Sequence, residues 1–315
     1  LGRPPRARNE PLEAWHRNLA FAVQRRLEEI VQEMTAYWTR RTGIRTLAIS
    51  GGVGLNVKMN GNLLTSGLID DIFVYPICSD SGQAIGAPMA LLYERGELQN
   101  ERLRHLYYGP GFSTDTVETI LRGCKIRYRR HPSIETQVAR LVSEGKVVGW
   151  FQGRMEGGPR ALGARSILAD PRDVTSRDRV NAVIKYREMW RPFCPSMTEA
   201  GARRYYPRHT YAPFMILTFE ANERAAREIP AVVHVDGTSR PQIVDPESNP
   251  RYHRLLEAFE RITGVPVLLN TSFNVKGEPI VCTPQDALRT FFATGMDALA
   301  IEDCLILKEE AQPHE

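Results

Sequence analysis

Residues 46–97 read TLAISGGVGLNVKMNGNLLTSGLIDDIFVYPICSDSGQAIGAPMALLYERGE, and this stretch decides the fold class. TLAIS (46–50) is a short apolar run that breaks into Gly51-Gly52-Val53-Gly54-Leu55-Asn56. IFVYPI (72–77) ends at Cys78-Ser79-Asp80-Ser81-Gly82, and the small-residue pattern of 83–97 then predicts a helix. Strands that each break into a Gly- or Asp-bearing turn before a helix predict an α/β architecture with ligands at the strand ends. The Gly51-Gly52-Val53-Gly54 turn leaves room for a nucleotide or a substrate backbone. No Gly-Lys-Ser/Thr follows it, so it is not a Walker loop. Asp80 reads either as a metal ligand or as a helix cap, and spacing alone favours the cap.

Upstream, Leu19, Val23, Leu27, Ile30, Val31 and Met34 recur at helical spacing and predict a long amphipathic helix over 12–37. Downstream, residues 98–116 are polar and then pass through Tyr-Tyr-Gly-Pro-Gly, which predicts a domain boundary. The expected division is 1–108 and 109–315. In the second part, strands are expected at 125–130, 146–151, 214–219, 231–235, 266–270 and 298–308, with helices at 114–123, 134–145, 249–263 and 284–293.

The charge is concentrated. Residues 151–196 hold nine basic side chains, eight Arg and Lys185, against five acidic ones. That surplus of four equals the net charge of the whole chain, so the remainder is neutral. Arg160 follows Gly157-Gly158-Pro159, and Arg191 sits in Trp-Arg-Pro-Phe. Glycine admits close backbone approach and proline fixes φ, so these arginines are expected to be held in place. Guanidinium forks suit carboxylate or phosphate oxygens, which predicts a site for a small phosphorylated ligand. Gly157–Gly163 reads as a turn into a helix N-terminus, where free N–H groups would reinforce the attraction. The alternative is a solvated basic helix pairing with Asp170, Asp173, Asp178 and Glu188. Arg240, in the Asp-Gly-Thr-Ser-Arg loop, and Asn270 and Ser272, in Asn-Thr-Ser-Phe-Asn, sit just after predicted strands. Each also fits an ordinary turn.

The bulk numbers exclude several classes. At 315 residues the chain holds one large domain or two ordinary ones. Its 42% hydrophobic and 25% charged residues are those of a globular protein. A pI near 8.8 with a net charge of only +4 is too mild for a nucleic-acid binder, so no nucleic-acid partner is expected. No apolar run reaches a membrane span, so no membrane partner is expected either. The opening LGRPPRARNEP lacks the apolar stretch of a signal peptide, and five scattered cysteines form no CxxC pair. Both predict a cytoplasmic location. The histidines lack metal-binding spacing, and no nucleophile elbow occurs.

Together, GWFQGRMEGGPRALGARSILADPR, NAVIKYREMWRPFCPS, VDGTSRPQIV and LLNTSFNVKGEPIV resemble the C-terminal half of the ATP-dependent O-carbamoyltransferases. TLAISGGVGLNVKMNGNL and YPICSDSGQAIGAPMALLYERGE resemble the end of that family's first domain. The likeness runs from about residue 15 to 308, with the motifs in the family's order. It implies part of an ASKHA-type (actin-like) transferase domain over 1–108 and a YrdC-like α/β domain over 109–315. The implied chemistry uses ATP, carbamoyl phosphate and Mg2+ to make carbamoyl adenylate. The carbamoyl group then passes to a hydroxyl of a small-molecule acceptor. By the same resemblance Arg160, Lys185, Arg191 and Arg240 form a catalytic cradle for the phosphates, assisted by Asn270 and Ser272. Gly51, Gly52 and Asn56 line the adenosine- or substrate-facing turn, and Asp80 ligates iron or another divalent metal. The family's H-x-x-x-H metal pair is absent from this sequence. The expected partner is therefore the N-terminal half of the ASKHA-like domain, on the same or another chain, and a homodimer is the default assembly. The alternative readings are a carbamoyl-adenylate synthase of the threonylcarbamoyl or hydrogenase-maturation type and a nucleotide-binding fragment without catalysis.

Overall fold

The computed structural model describes residues 2–7, 10–99 and 101–311; Asn100, in the expected boundary segment, lies outside them. A long helix, α1 (Ala14–Thr42), ends at Gly43, which takes the left-handed conformation (φ 73°) and stops it. It leads into β1 (Thr46–Ile49), α2 (Val57–Thr65), β2 (Asp71–Val74) and α3 (Gln83–Glu94). β1 and β2 pair in parallel as a two-stranded sheet, the strand–turn–helix order that 46–97 predicts. This part leaves much apolar surface bare. Phe21 is 64% exposed, Trp38 54% and Tyr93 75%, and no residue of α3 is buried.

Next come α4 (Thr114–Gly123), β3 (Arg129–Arg130), α5 (Ile134–Ser143), β4 (Val148–Phe151), β5 (Arg165–Ala169), α6 (Val174–Val180) and β6 (Cys194–Met197). They are followed by α7 (Glu199–Tyr205), β7 (Phe219–Glu220), α8 (Glu223–Glu228), β8 (Thr238–Ser239), β9 (Gln242–Ile243) and α9 (Pro250–Thr263). The chain closes with β10 (Val267–Ser272), α10 (Pro284–Phe292), β11 (Ala298–Ile301), β12 (Cys304–Leu307) and α11 (Lys308–Ala311). Eight of the strands make one mixed sheet in the order β3-β12-β11-β4-β5-β10-β6-β9. Only β4–β11 and β6–β9 pair in parallel. Every residue of β4, β5 and β11 is buried, so both faces of the sheet are covered, as their continuous apolar runs require. Val138 and Val142 of α5 and Leu255, Leu256 and Phe259 of α9 supply part of that cover. Among the described residues the core is continuous from Leu63 to Ala311.

The α/β class stands, with five local corrections; the first is that of 125–130 only Arg129–Arg130 forms a strand, Lys125 having φ 55°. Residues 214–219 are not a strand; Met215 has φ 54°, and only Phe219–Glu220 pairs. Residues 231–235 are not a strand: Ala231 and Val232 lie in a 3-10 turn at Pro230–Val232, and their neighbourhood bonds elsewhere, Ala231 N–H to Pro171 O (3.1 Å) and His234 N–H to Thr238 O (2.8 Å). Residues 298–308 are two strands, with Glu302 at φ 47° in the turn between them. Finally, Gly157–Gly163 opens no helix: it is an irregular loop that runs into β5.

Candidate anion-binding site

The sheet topology gathers the site. β6 runs antiparallel to β10 and parallel to β9. The C-terminal end of β10, the start of β6 and the approach to β9 therefore meet at one edge. Ser272, Cys194 and Arg240 arrive there from three distant stretches of sequence, and the register sets Asn270 beside Cys194. Just before β6 the helix widens into a π turn at Asn181–Lys185, and Tyr186 then takes φ 45°. Such turns are frequent at functional sites, and this one turns Lys185 inward, where it is 5% exposed.

The result is a cavity of about 310 Å³. Its walls carry Arg160, Lys185, Arg187, Arg191, Arg240 and Lys276, with Asn270, Ser272, Asn274 and Cys194 between them. No Asp or Glu is among the described lining residues. Lys185 Nζ donates to the Ser272 carbonyl, to Ser272 Oγ (3.2 Å) and to Asn274 O and Oδ1 (3.0 and 2.7 Å). All four acceptors are neutral. Burial, with Arg187 and Arg191 nearby, lowers the pKa of the ammonium to about 7. Burial and the neighbouring Arg240 lower Arg160 to about 10, which leaves it charged at neutral pH. Burial and Arg191 do the same to Arg187. Arg187 is fixed by Asn181 Oδ1 (2.7 Å) and lies over the Phe193 ring. Arg240 donates from Nε and Nη2 to Cys194 Sγ at 3.0 and 2.8 Å. Arg191 is exposed, 3.9 Å from Glu188.

Two lining residues keep a buried polar atom without a protein partner: Arg160 Nε, a donor, and Asn270 Oδ1, an acceptor. Asn270 Nδ2 is engaged by Ala161 O and Ser196 Oγ. Buried polar atoms are normally satisfied. This pair, on the walls of a cationic cavity, suits a ligand that offers both an acceptor oxygen and a donor N–H.

The structure thus brings together Arg160, Lys185, Arg191, Arg240, Asn270 and Ser272, with Arg187 and Asn274 from the same two stretches, and adds Cys194 and Lys276. Arg187 was visible two residues after Lys185, and Asn274 two after Ser272. Cys194 carried no signal, because only strand pairing sets it beside Asn270. The basic block divides, and part of it pairs with carboxylates. Arg172 pairs with the buried Asp170 (2.6 Å), and the half-buried Arg177 and Arg179 pair with Asp178 and Asp297. Arg165 is fully buried, with its guanidinium against the carbonyls of Pro110, Gln152 and Gly153.

Gly51, Gly52, Asn56 and Asp80 do not line this cavity. Gly51 has φ 91°, and nothing would obstruct a Cβ at it or at Gly52. Asn56 caps α2 through the Met59 N–H (3.1 Å) and pairs with Gln24. Asp80 is exposed at the start of a short 3-10 turn. Among the described residues no three His, Cys, Asp or Glu side chains group to hold a metal. Asp80 alone does not fit a resident iron centre. No helix among the described residues is long and apolar enough to cross a membrane.

Comparison with known proteins adds the family. Residues 139–308 match the carbamoyltransferase C-terminus model and residues 4–89 the carbamoyltransferase N-terminus model. The nodulation protein NolNO of Sinorhizobium fredii is 41% identical over 98% of this chain and 47% of its own length. NolO of Bradyrhizobium diazoefficiens is 40% identical over 97% of this chain and 57% of its own. The chain therefore spans about half the length of the curated relatives it matches. Full-length HypF, solved in a phosphate- and nucleotide-bound form, aligns with 59% of this chain and 23% of its own at 16% identity and a TM-score of 0.38. E. coli YciO aligns with 57% of this chain and 90% of its own at 14% identity and a TM-score of 0.37. Neither likeness carries weight at that score. With more than half of its residues in the C-terminal family model, this chain belongs to the carbamoyltransferase family.

Proposed function

We propose that the cationic cavity binds ATP and carbamoyl phosphate and forms carbamoyl adenylate. The observation that carries this reading is a cavity with six basic side chains and no acidic one, in a carbamoyltransferase. Two polyanions repel each other, and bringing them within bonding distance needs fixed positive charge on several sides. Preorganised guanidinium and ammonium groups supply that charge without reorganising during reaction. The atoms balance if one water is consumed. Water cleaves carbamoyl phosphate to carbamate and phosphate. A carbamate oxygen then attacks the α-phosphorus of ATP, and pyrophosphate leaves. Arg160, Lys185, Arg191 and Arg240 hold phosphate oxygens, Asn270 Oδ1 accepts from the carbamoyl NH2, and Ser272 keeps Lys185 aimed inward. Mg2+ accompanies ATP as part of the substrate.

In this reading residues 109–315 are the adenylate-forming part and residues 1–108 belong to the part that passes the carbamoyl group to a small-molecule hydroxyl. The test is pyrophosphate release from ATP, with and without carbamoyl phosphate. Release should depend on carbamoyl phosphate and fall on the order of 100-fold in Arg160→Ala. Release that ignores either carbamoyl phosphate or Arg160 would overturn the proposal. A chain that binds ATP yet releases no pyrophosphate would be a nucleotide-binding module instead.

A further inference from the structure

Arg160 projects from a loop with no regular secondary structure, so something other than a helix or strand ladder must hold it. The loop is pinned from two sides. On one side its carbonyls face the sheet: Ala161 O accepts from Asn270 Nδ2, Leu162 O from Gln242 Nε2 (2.7 Å) and Tyr107 Oη (2.7 Å), and Gly163 O from Trp150 Nε1 (2.9 Å). On the other side its N–H groups converge on one carboxylate. Glu156 is 2% exposed, and its Oε1 accepts from the amides of Leu162 (2.6 Å), Ala164 (3.2 Å) and Arg165 (3.2 Å). The charge of Glu156 is felt by the buried Arg165, whose guanidinium is held by carbonyls rather than by a carboxylate.

A buried carboxylate is costly, and three backbone N–H groups on one oxygen offset much of that cost. The same bonds close residues 156–165 into a ring, with Arg160 at the far side from the carboxylate. We infer that Glu156 is a positioning residue for Arg160: it touches no ligand, and it fixes the loop that presents the guanidinium to the cavity. This rests on the reading of the cavity as an anion site.

Pyrophosphate is the probe, titrated calorimetrically into the wild-type chain, Glu156→Ala, Glu156→Gln, Arg160→Ala and the Glu156→Ala/Arg160→Ala double variant. Glu156→Ala should bind about tenfold more weakly, the scale of a coupled pair. The double variant should bind no more weakly than Arg160→Ala alone, because the two changes remove one contact. Glu156→Gln, whose amide oxygen takes the same three donors, should stay within about threefold of wild type. Hydrogen exchange should lose protection at 162–165 in Glu156→Ala and keep it in Glu156→Gln. If Glu156→Ala does not fold, Glu156→Asp, which withdraws the carboxylate by one methylene, replaces it with the same expected coupling to Arg160. Losses that simply multiply in the double variant, or wild-type affinity in Glu156→Ala, refute the role of Glu156 alone. A wild-type chain that binds no pyrophosphate refutes the anion site and this role with it.

Discussion

Lys185 shows how one residue can be placed for anions by what surrounds it. Its ammonium is buried among neutral acceptors and beside two arginines, which holds its pKa near 7. An entering anion favours the charged form and raises that pKa. Above pH 7 the free protein has lost this proton and binding must restore it. Relative to Lys185→Met, proton uptake on pyrophosphate binding by the wild-type chain should therefore be similar at pH 6 and larger by up to about one proton near pH 8.5, the comparison cancelling pyrophosphate's own ionisations. The affinity advantage of the wild-type chain over Lys185→Met should shrink by up to about one decade per pH unit above pH 7. Calorimetry in buffers of different ionisation enthalpy checks this, and the same uptake by both chains at every pH would mean that Lys185 does not meet the anion. Cys194 acts on Arg240 in a comparable way, as acceptor for two of its donors.

Among the elements, the loop from Gly157 to Gly163 matters most, because it is threaded between two rigid neighbours. A Cβ on Gly163 would lie 2.2 Å from the ring of the buried Tyr252, and the φ of Gly163 is 95°. Gly163→Ala combines left-handed strain with a clash against a fixed ring and should cost about 3 kcal/mol or more in urea unfolding. Gly123→Ala, at the end of α4 with open space around it and no positive φ, should change stability by less than about 0.5 kcal/mol. Comparable losses at both positions would show that the packing of Gly163 is not as described.

For the whole molecule, the described residues up to Glu94 present an apolar face that no other described residue covers. A groove of about 420 Å³ runs between α1 and β1, walled by Val31, Met34, Trp38, Leu47, Ile49 and Val53. Exposed apolar surface on this scale marks an interaction site, and the curated relatives are about twice as long as this chain. We expect this face to receive further polypeptide of the transferase part, with a second copy of the chain as the competing outcome. The chain alone should then form carbamoyl adenylate without carbamoylating a hydroxyl acceptor, followed by mass spectrometry of the acceptor. Efficient transfer by this chain with no added polypeptide would overturn that expectation.

The α/β class and the long first helix were legible in the sequence because hydrophobic period is a local property, and the Arg160, Lys185, Arg191, Arg240, Asn270 and Ser272 set was legible through the motifs that carry the family resemblance. The irregular paths of 157–163, 214–219 and 231–235 were not, because side-chain and backbone contacts from other elements override the local preference there. The same holds for the division of labour in the basic block. Composition places nine basic residues in one stretch. Arg172 and Arg177 meet Asp170 and Asp178, their neighbours in sequence; only the tertiary structure decides that Arg179 meets Asp297 and that Arg165 meets carbonyls. It also decides that Arg160 and Lys185 face a cavity with no acid in its wall. Charge is written in the sequence, but partners are set by which strands lie side by side.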